Sequence, residues 1–371
     1  MPKKTSATYG FPHKMLHLLL CPRDASPLAL FGERRNESNG IIEGGLRCTQ
    51  CSAEYRIENG IARLMTDSLT PEDQHEIAIR DMEYDSMSHN AFDVPDTGWR
   101  SKLSDRLEIP HHLNSLEPLD NRRVLEFGCG DGRFTMLMAK LGAEILSIDF
   151  SIAALQKLSI RLSAGITPTT YRVATRRSSD SWPEHVGLVQ ADASHFFVPP
   201  RSFDRALSAT PLDSRDERMR MYRTIADALV DDGRFVASLE HDDLTRRLLG
   251  MPMARRYSTG GIFIEHFDTR TVRREASPYF SRLDIRPIRP RVPFIHRLPL
   301  KVAIPVALTV GATPGLNQLG EILLISAERP VRPPTEGAGR SGVDVLKRIY
   351  RWYERRNESL PSAAFPKEDR G

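Results

Sequence analysis

Three glycines at alternate positions, Gly128, Gly130 and Gly132, follow the apolar run Val124-Leu125-Glu126-Phe127 and precede the apolar stretch Phe134 to Leu141. A strand that breaks into such a turn lets the backbone double back, with the amides at the start of the next helix facing a ligand. This is the chemistry of a nucleotide-type site. Two further acids stand where strands should end, Asp149 after Ile145 to Ile148 and Asp192 after Val186 to Gln190. A dinucleotide fingerprint needs G-x-G-x-x-G, and here the third glycine falls one place early, so NAD is disfavoured. His241, after the strand Arg234 to Leu239, is the best-placed titratable group to serve as a base, with His266 and Tyr257 as runners-up. Near the amino terminus, Cys21-Pro22-Arg23-Asp24 and Cys48-Thr49-Gln50-Cys51 form two knuckles in the layout of a zinc ribbon. Asp24 stands where a fourth cysteine would be, so a Cys3Asp zinc site competes with a metal-free relic and with scattered buried cysteines.

The elements that must position these groups alternate. The glycine turn leads to a helix over Phe134 to Leu141, Ser151 caps a second over Ser151 to Leu162, and a third runs from about Asp216 to Leu229. The fourth and fifth strands cover Phe203 to Ser208 and Arg234 to Leu239. Strands alternating with helices imply a doubly wound, mostly parallel α/β sheet, whose ligands sit beyond the carboxyl ends of the strands. Gly128 to Gly132, Asp149, Asp192, Thr210 and Glu240-His241 all fall there. Before this core, Thr70-Pro71-Glu72-Asp73 starts a helix that runs to about Ser88, and 90–120 reads as loop with His111-His112 as a surface pair. After it, a sixth strand near Leu283 to Ile288 and a last one over Glu321 to Ala327 flank the insertion Arg289 to Gly320, too rich in proline for one straight helix. The insertion reads as a lid, a dimer surface, a shallow membrane contact or ordinary packing.

Acid-x-G-x-G-x-G with a second acid after the next strand resembles the cofactor site of class I S-adenosylmethionine-dependent methyltransferases. The resemblance covers roughly 200 residues. It implies a seven-stranded sheet with the last strand antiparallel. It also implies that Glu126 orients the amino end of S-adenosylmethionine and that Gly128, Gly130 and Gly132 admit it. Asp149 would accept from both ribose hydroxyls, Phe150 would flank the adenine, and Asp192 would accept from the adenine amino group beside the Ala193 amide. The first 66 residues resemble the small zinc-binding activators of methyltransferases, through Leu18-Leu19-Leu20-Cys21-Pro22, Leu46-Arg47-Cys48, Tyr55-Arg56-Ile57 and Gly60-Ile61-Ala62-Arg63-Leu64. The resulting division is a degenerate zinc-ribbon-like β domain (1–66), a helical connector or lid (67–120), the methyltransferase domain (121–329), and a linker with a basic amphipathic helix (330–371).

Composition sets bounds on partners. A net charge of +4 from 52 basic and 48 acidic residues permits anionic partners without arguing for them. Four cysteines, three of them in the first 51 residues, make no disulfide framework and point to a reduced, cytoplasmic compartment. Met15 to Cys21 is too short and interrupted for a signal peptide. No stretch reaches the roughly 20 apolar residues of a membrane span. The Asn/Asp-Pro-Pro-Tyr/Phe motif of amino-group methylation is absent after the fourth strand, where Ala209-Thr210-Pro211-Leu212 stands. Methyl transfer to an oxygen of a small-molecule, lipid-like or glycan acceptor is the first expectation. An RNA methyltransferase gripping nucleic acid with its amino-terminal unit is the second, and a catalytically silent scaffold the third.

Overall fold

The computed structural model describes residues 9–66, 71–87, 98–169, 171–209, 215–256 and 263–332. The expected carboxy-terminal helix, Thr70, Thr210, Tyr257 and the Gly260-Gly261 pair lie outside the described residues. The amino-terminal strands β1 (Leu28–Arg35), β2 (Ile41–Cys48), β3 (Glu54–Glu58) and β4 (Ile61–Arg63) form an antiparallel meander. Helices α1 (Pro71–Met87) and α2 (Trp99–Leu116) follow. The alternating section runs β5 (Arg123–Phe127), α3 (Arg133–Lys140), β6 (Glu144–Asp149), α4 (Ile152–Ala164), β7 (Val186–Gln190), β8 (Phe203–Ser208), α5 (Arg215–Ala228) and β9 (Leu229–Glu240). It ends with α6 (Leu244–Leu248), a small hairpin of β10 (Ala254–Arg256) and β11 (Phe263–Glu265), α7 (Thr269–Ala276), β12 (Phe280–Pro290), α8 (Leu300–Ala312) and β13 (Gly320–Pro330).

The expected seven strands are present in the order β7-β6-β5-β8-β9-β13-β12, with β13 antiparallel to both neighbours. They do not stand alone. Strand β4 pairs in parallel with β7, from Ile61 opposite Leu188 to Arg63 opposite Gln190, and the Leu64 amide extends the ladder to the Gln190 carbonyl (2.8 Å). The sheet is therefore eleven-stranded, and the expectation of a seven-stranded sheet beside a separate small β domain is corrected. The physical reason is edge coverage: β7 would otherwise present unpaired amides and carbonyls. Packing reinforces the join. Phe11, Met15, Leu18, Ile41, Ile57 and Leu64 share one core with Leu125, Phe127, Leu146 and Val189. The Tyr9 hydroxyl donates to the Val186 carbonyl (2.6 Å), and a Cβ at Gly187 would meet Met15 Sδ at 3.0 Å.

Side-chain alternation divides the central strands between two faces. Leu125 and Phe127 of β5 face the core shared with α5 and α7, whereas Val124 faces the one built with α2, α3 and α4. Helix α2 replaces the loop expected for 90–120. It continues through Pro110 because Ile109, Leu113 and Leu116 bury an apolar stripe on the sheet, so packing outweighs the lost backbone bond. His112 in that helix is fully buried, not a surface residue, with Nδ1 3.0 Å from the Glu108 carbonyl. Pro305 likewise lies inside α8, which takes up only Leu300–Ala312 of the insertion, with separate 3-10 turns at Ile295–Arg297 and Leu316–Leu319.

Candidate functional site

The glycine turn joins β5 to α3 through three positive φ angles, 67° at Gly128, 53° at Gly130 and 95° at Gly132. Side chains at these positions would be strained, and a Cβ at Gly132 would meet Leu158 Cδ1 at 2.3 Å. The Gly128 and Cys129 amides both donate to the Ile148 carbonyl of β6 (2.8 and 3.1 Å), which seats the turn at the strand end. Beside it Asp149, only 7% exposed, accepts from the Gly130 amide at Oδ2 (2.8 Å) and from the Ser151 amide at Oδ1 (2.9 Å). Burial pushes its carboxyl up to about 6, against those two hydrogen bonds.

Glu126 is buried beneath the turn. Its Oε2 accepts from Thr135 Oγ1 (2.7 Å) and Ser147 Oγ (2.8 Å), tying β5 to α3 and β6, and burial pushes the carboxyl up to about 7. At the end of β7, Asp192 Oδ2 lies 2.6 Å from His195 Nδ1, and Ala193 opens the 3-10 turn carrying that histidine. The Phe150 carbonyl accepts from Gln190 Nε2 (2.9 Å), linking the ends of β6 and β7. Glu126, Gly128, Gly130, Gly132, Asp149, Phe150, Asp192 and Ala193 thus gather at one edge of the sheet, on three adjacent strands.

Helix α1 closes over this edge. Asp81 accepts from Ser151 Oγ (2.5 Å) and the Ala153 amide (3.2 Å), and a Cβ at Gly130 would meet the Tyr84 hydroxyl at 2.5 Å. Burial, followed by the nearby Asp149 and Asp131, drives the Tyr84 phenol far above its ordinary value. Sequence reasoning expected a helix here, as connector or lid, and missed Asp81 and His195, whose roles depend on which residues lie opposite.

His241 sits at the same end of the sheet, beyond β9 and two strands from β5. It is 1% exposed. Its Nδ1 lies 2.6 Å from the Gly320 carbonyl, and an oxygen with no proton fixes Nδ1 as the donor. Among the described residues Nε2 has no hydrogen-bond partner, and burial holds the ring below the usual histidine range. The ring is thus a neutral imidazole with its lone pair at Nε2. Neighbouring Glu240 is pushed up by burial and drawn back by Arg289. Arg289 reaches Glu108 (3.4 Å) and Glu321 (2.9 Å), and Arg133 meets the same Glu108 (3.3 Å), a network whose members are too far apart in the chain to be paired by inspection.

Cys21, Asp24, Cys48 and Cys51 converge, with one ligand atom from each within 4.8 Å of the others. Cys21 Sγ is 3.7 Å from Cys51 Sγ, and Cys48 Sγ is 3.4 Å from Asp24 Oδ1. The Gln50 and Cys51 amides both donate to Cys48 Sγ (3.4 Å each), which orients that sulfur toward the cluster.

Residues 99–277 match the family model described as a methyltransferase domain. This stretch is similar to a methyltransferase domain. The chain matches no curated protein sequence. Among solved structures, it is similar to an S-adenosylmethionine-dependent methyltransferase from Mesorhizobium loti at 22% identity, over 60% of this chain and 97% of that one, with a TM-score of 0.41. It is also similar to phosphoethanolamine N-methyltransferase 1 of Haemonchus contortus, at 17% identity over 80% of this chain and 58% of that one, TM-score 0.45. A third similar structure is the 1,6-didemethyltoxoflavin-N1-methyltransferase of Burkholderia thailandensis, at 18% identity over 76% and 97%, TM-score 0.42. Likeness at this level carries no argument about what this chain acts on.

Proposed function

We propose that this chain is an S-adenosylmethionine-dependent methyltransferase acting on an oxygen of a small, lipid-like or glycan acceptor. The observation that carries this reading is the placement of the glycine turn, Asp149 and Asp192 at three neighbouring strand ends within the methyltransferase domain. The residues fit the cofactor. The turn leaves no room for a Cβ at Gly130 beneath Tyr84, and Asp149 sits at the rim with its carboxylate oriented by two amides. When bound, S-adenosylmethionine supplies an activated methyl group. The chain's part is to align donor and acceptor and to exclude water. Because Tyr84 and Asp81 hold α1 against the turn, cofactor exchange requires that helix to move.

His241 suits an oxygen acceptor: its tautomer leaves Nε2 free to take a hydroxyl proton. The basic surface is less suited to nucleic acid, because many arginines are already paired, as in Arg122 with Asp204 (2.8 Å) and Arg123 with Glu144 (3.1 Å). Calorimetry with S-adenosylmethionine tests the reading. Heat of binding that Asp149→Ala weakens supports it, and a folded protein that binds neither the cofactor nor its demethylated product overturns it.

Cys21, Asp24, Cys48 and Cys51 would hold a structural zinc ion in a site closed to substrate, their ligand atoms all lying within 4.8 Å of one another. Metal content after purification without added metal, compared with Cys48→Ser, checks this. Absence of zinc in the parent protein rules it out.

A further inference from the structure

The insertion between β12 and β13 has an unusual charge pattern. From Arg291 to Gly320 it contains Arg291, Arg297 and Lys301 and no aspartate or glutamate. Helix α8 buries Ala303 and Ala307 against Leu103 and Leu107 of α2, which turns Val302, Pro305, Leu308 and Ala312 to solvent. Phe294, 65% exposed, stands at the approach to α8 with the Arg297 guanidinium 4.8 Å from its ring centre. Leu316 is exposed just beyond the helix. A second apolar group adjoins it, since α6 packs beside the 3-10 turn Leu316–Leu319 and ends at Leu248, which is 77% exposed and is followed by Leu249 at 68%. On the α2 side, Lys102 and Arg106 rim a cleft of about 490 Å³ floored by Leu300 and Ile304.

Exposed leucines and a phenylalanine, unaccompanied by acids and flanked by cations, are what a surface inserted at the boundary of an anionic bilayer requires. A second copy of the same face would press Arg297, Lys301, Lys102 and Arg106 against their own kind. The chain's remaining carboxy-terminal segment, with Lys347, Arg348, Arg351 and Arg355, offers no better charge match. No described helix is long and apolar enough to cross a membrane, so the contact is peripheral.

We propose that the face made by residues 291–316 and α6 docks on an anionic membrane surface. Phe294, Leu308, Leu316, Leu248 and Leu249 enter the headgroup boundary, while Arg297 and Lys301 meet lipid phosphates. Docking stands independently of methyl transfer. Its consequence rests on the proposed function: the face borders His241 and the ends of β9 and β13, so the methyl acceptor is drawn from the bilayer.

The test is sedimentation of the full-length protein, without cofactor, with vesicles of phosphatidylcholine alone and of phosphatidylcholine mixed with phosphatidylglycerol. Binding to the mixed vesicles that weakens with salt is expected. Phe294→Asp with Leu308→Asp, and separately Arg297→Glu with Lys301→Glu, should each reduce partitioning by at least about tenfold. All four positions are exposed, and unchanged thermal melting confirms folding. Wild-type protein that stays in solution with mixed vesicles, or variants that bind as the parent does, overturns the proposal. So does a dimer dispersed by Leu308→Asp in a protein that ignores vesicles, which assigns the face to a second copy. Calorimetric failure with S-adenosylmethionine would sink the methyltransferase reading and leave vesicle binding standing.

Discussion

Replacing Glu126 by glutamine should make the protein more stable, and only on the alkaline side. The carboxyl titrates near 4.5 when unfolded and is pushed up to about 7 in the native state, chiefly by burial. Between those values the native state holds a proton that the unfolded chain has released. Stability therefore falls as pH rises through the window, and stays lower above it. At about 1.4 kcal/mol per pH unit, the full interval corresponds to about 3 kcal/mol. Glutamine keeps a side-chain oxygen for the Thr135 and Ser147 hydroxyls and removes the charge. Urea unfolding at about pH 5 and about pH 8 is the assay, and the difference between the two gains is the readout, because any constant cost of the amide cancels. A gain larger by roughly 2 kcal/mol at the higher pH is expected. Equal effects at both, or a loss confined to the higher pH, would refute the reasoning. If the same carboxylate anchors the amino end of the cofactor, the variant also binds S-adenosylmethionine more weakly, and stability and affinity part company.

Gly132→Ala places a Cβ against Leu158 at φ 95° and should cost about 2 kcal/mol or more in chemical unfolding, with a cost near zero counting against the steric account. Glu275→Gln strips the buried Arg218 of its partner at 3.2 Å, and a loss of about 3 kcal/mol is expected by the same measurement; a neutral result would show that Glu265 suffices. For an oxygen acceptor, His241→Gln should lower turnover by about a hundredfold or more. In the parent, activity should fall as pH drops through a value below the ordinary histidine range, where Nε2 gains its proton. An unaltered pH profile in the variant would remove His241 from the reaction.

The parallel core was legible because its signals are local. The glycine turn, Ser151 as a cap and acids at strand ends each declare themselves within a few residues. Helix α2 was not, since Pro110 and a mixed sequence disguise an amphipathic stripe that only the sheet beneath it explains. The join of β4 to β7 was hidden for another reason: three residues make the strand, and parallel pairing leaves no turn signature. In the site, the acids were readable as types, but the engagement of Asp149 by the Gly130 amide and of Asp192 by His195 depends on geometry no spacing encodes. His241 carried its identity in the sequence and its tautomer only in the fold.

The pairing of Ile61 with Leu188 also fixes an order of events. The meander must wait for a strand more than a hundred residues later, a wider separation than any other strand pairing among the described residues. Until β7 is made, Phe11, Met15 and Ile57 have no complete core to enter, and until the meander returns, β7 keeps a bare edge. Each is the other's protection against misassociation. Conditions that slow this meeting should favour aggregation of the nascent chain over loss of activity in the finished one.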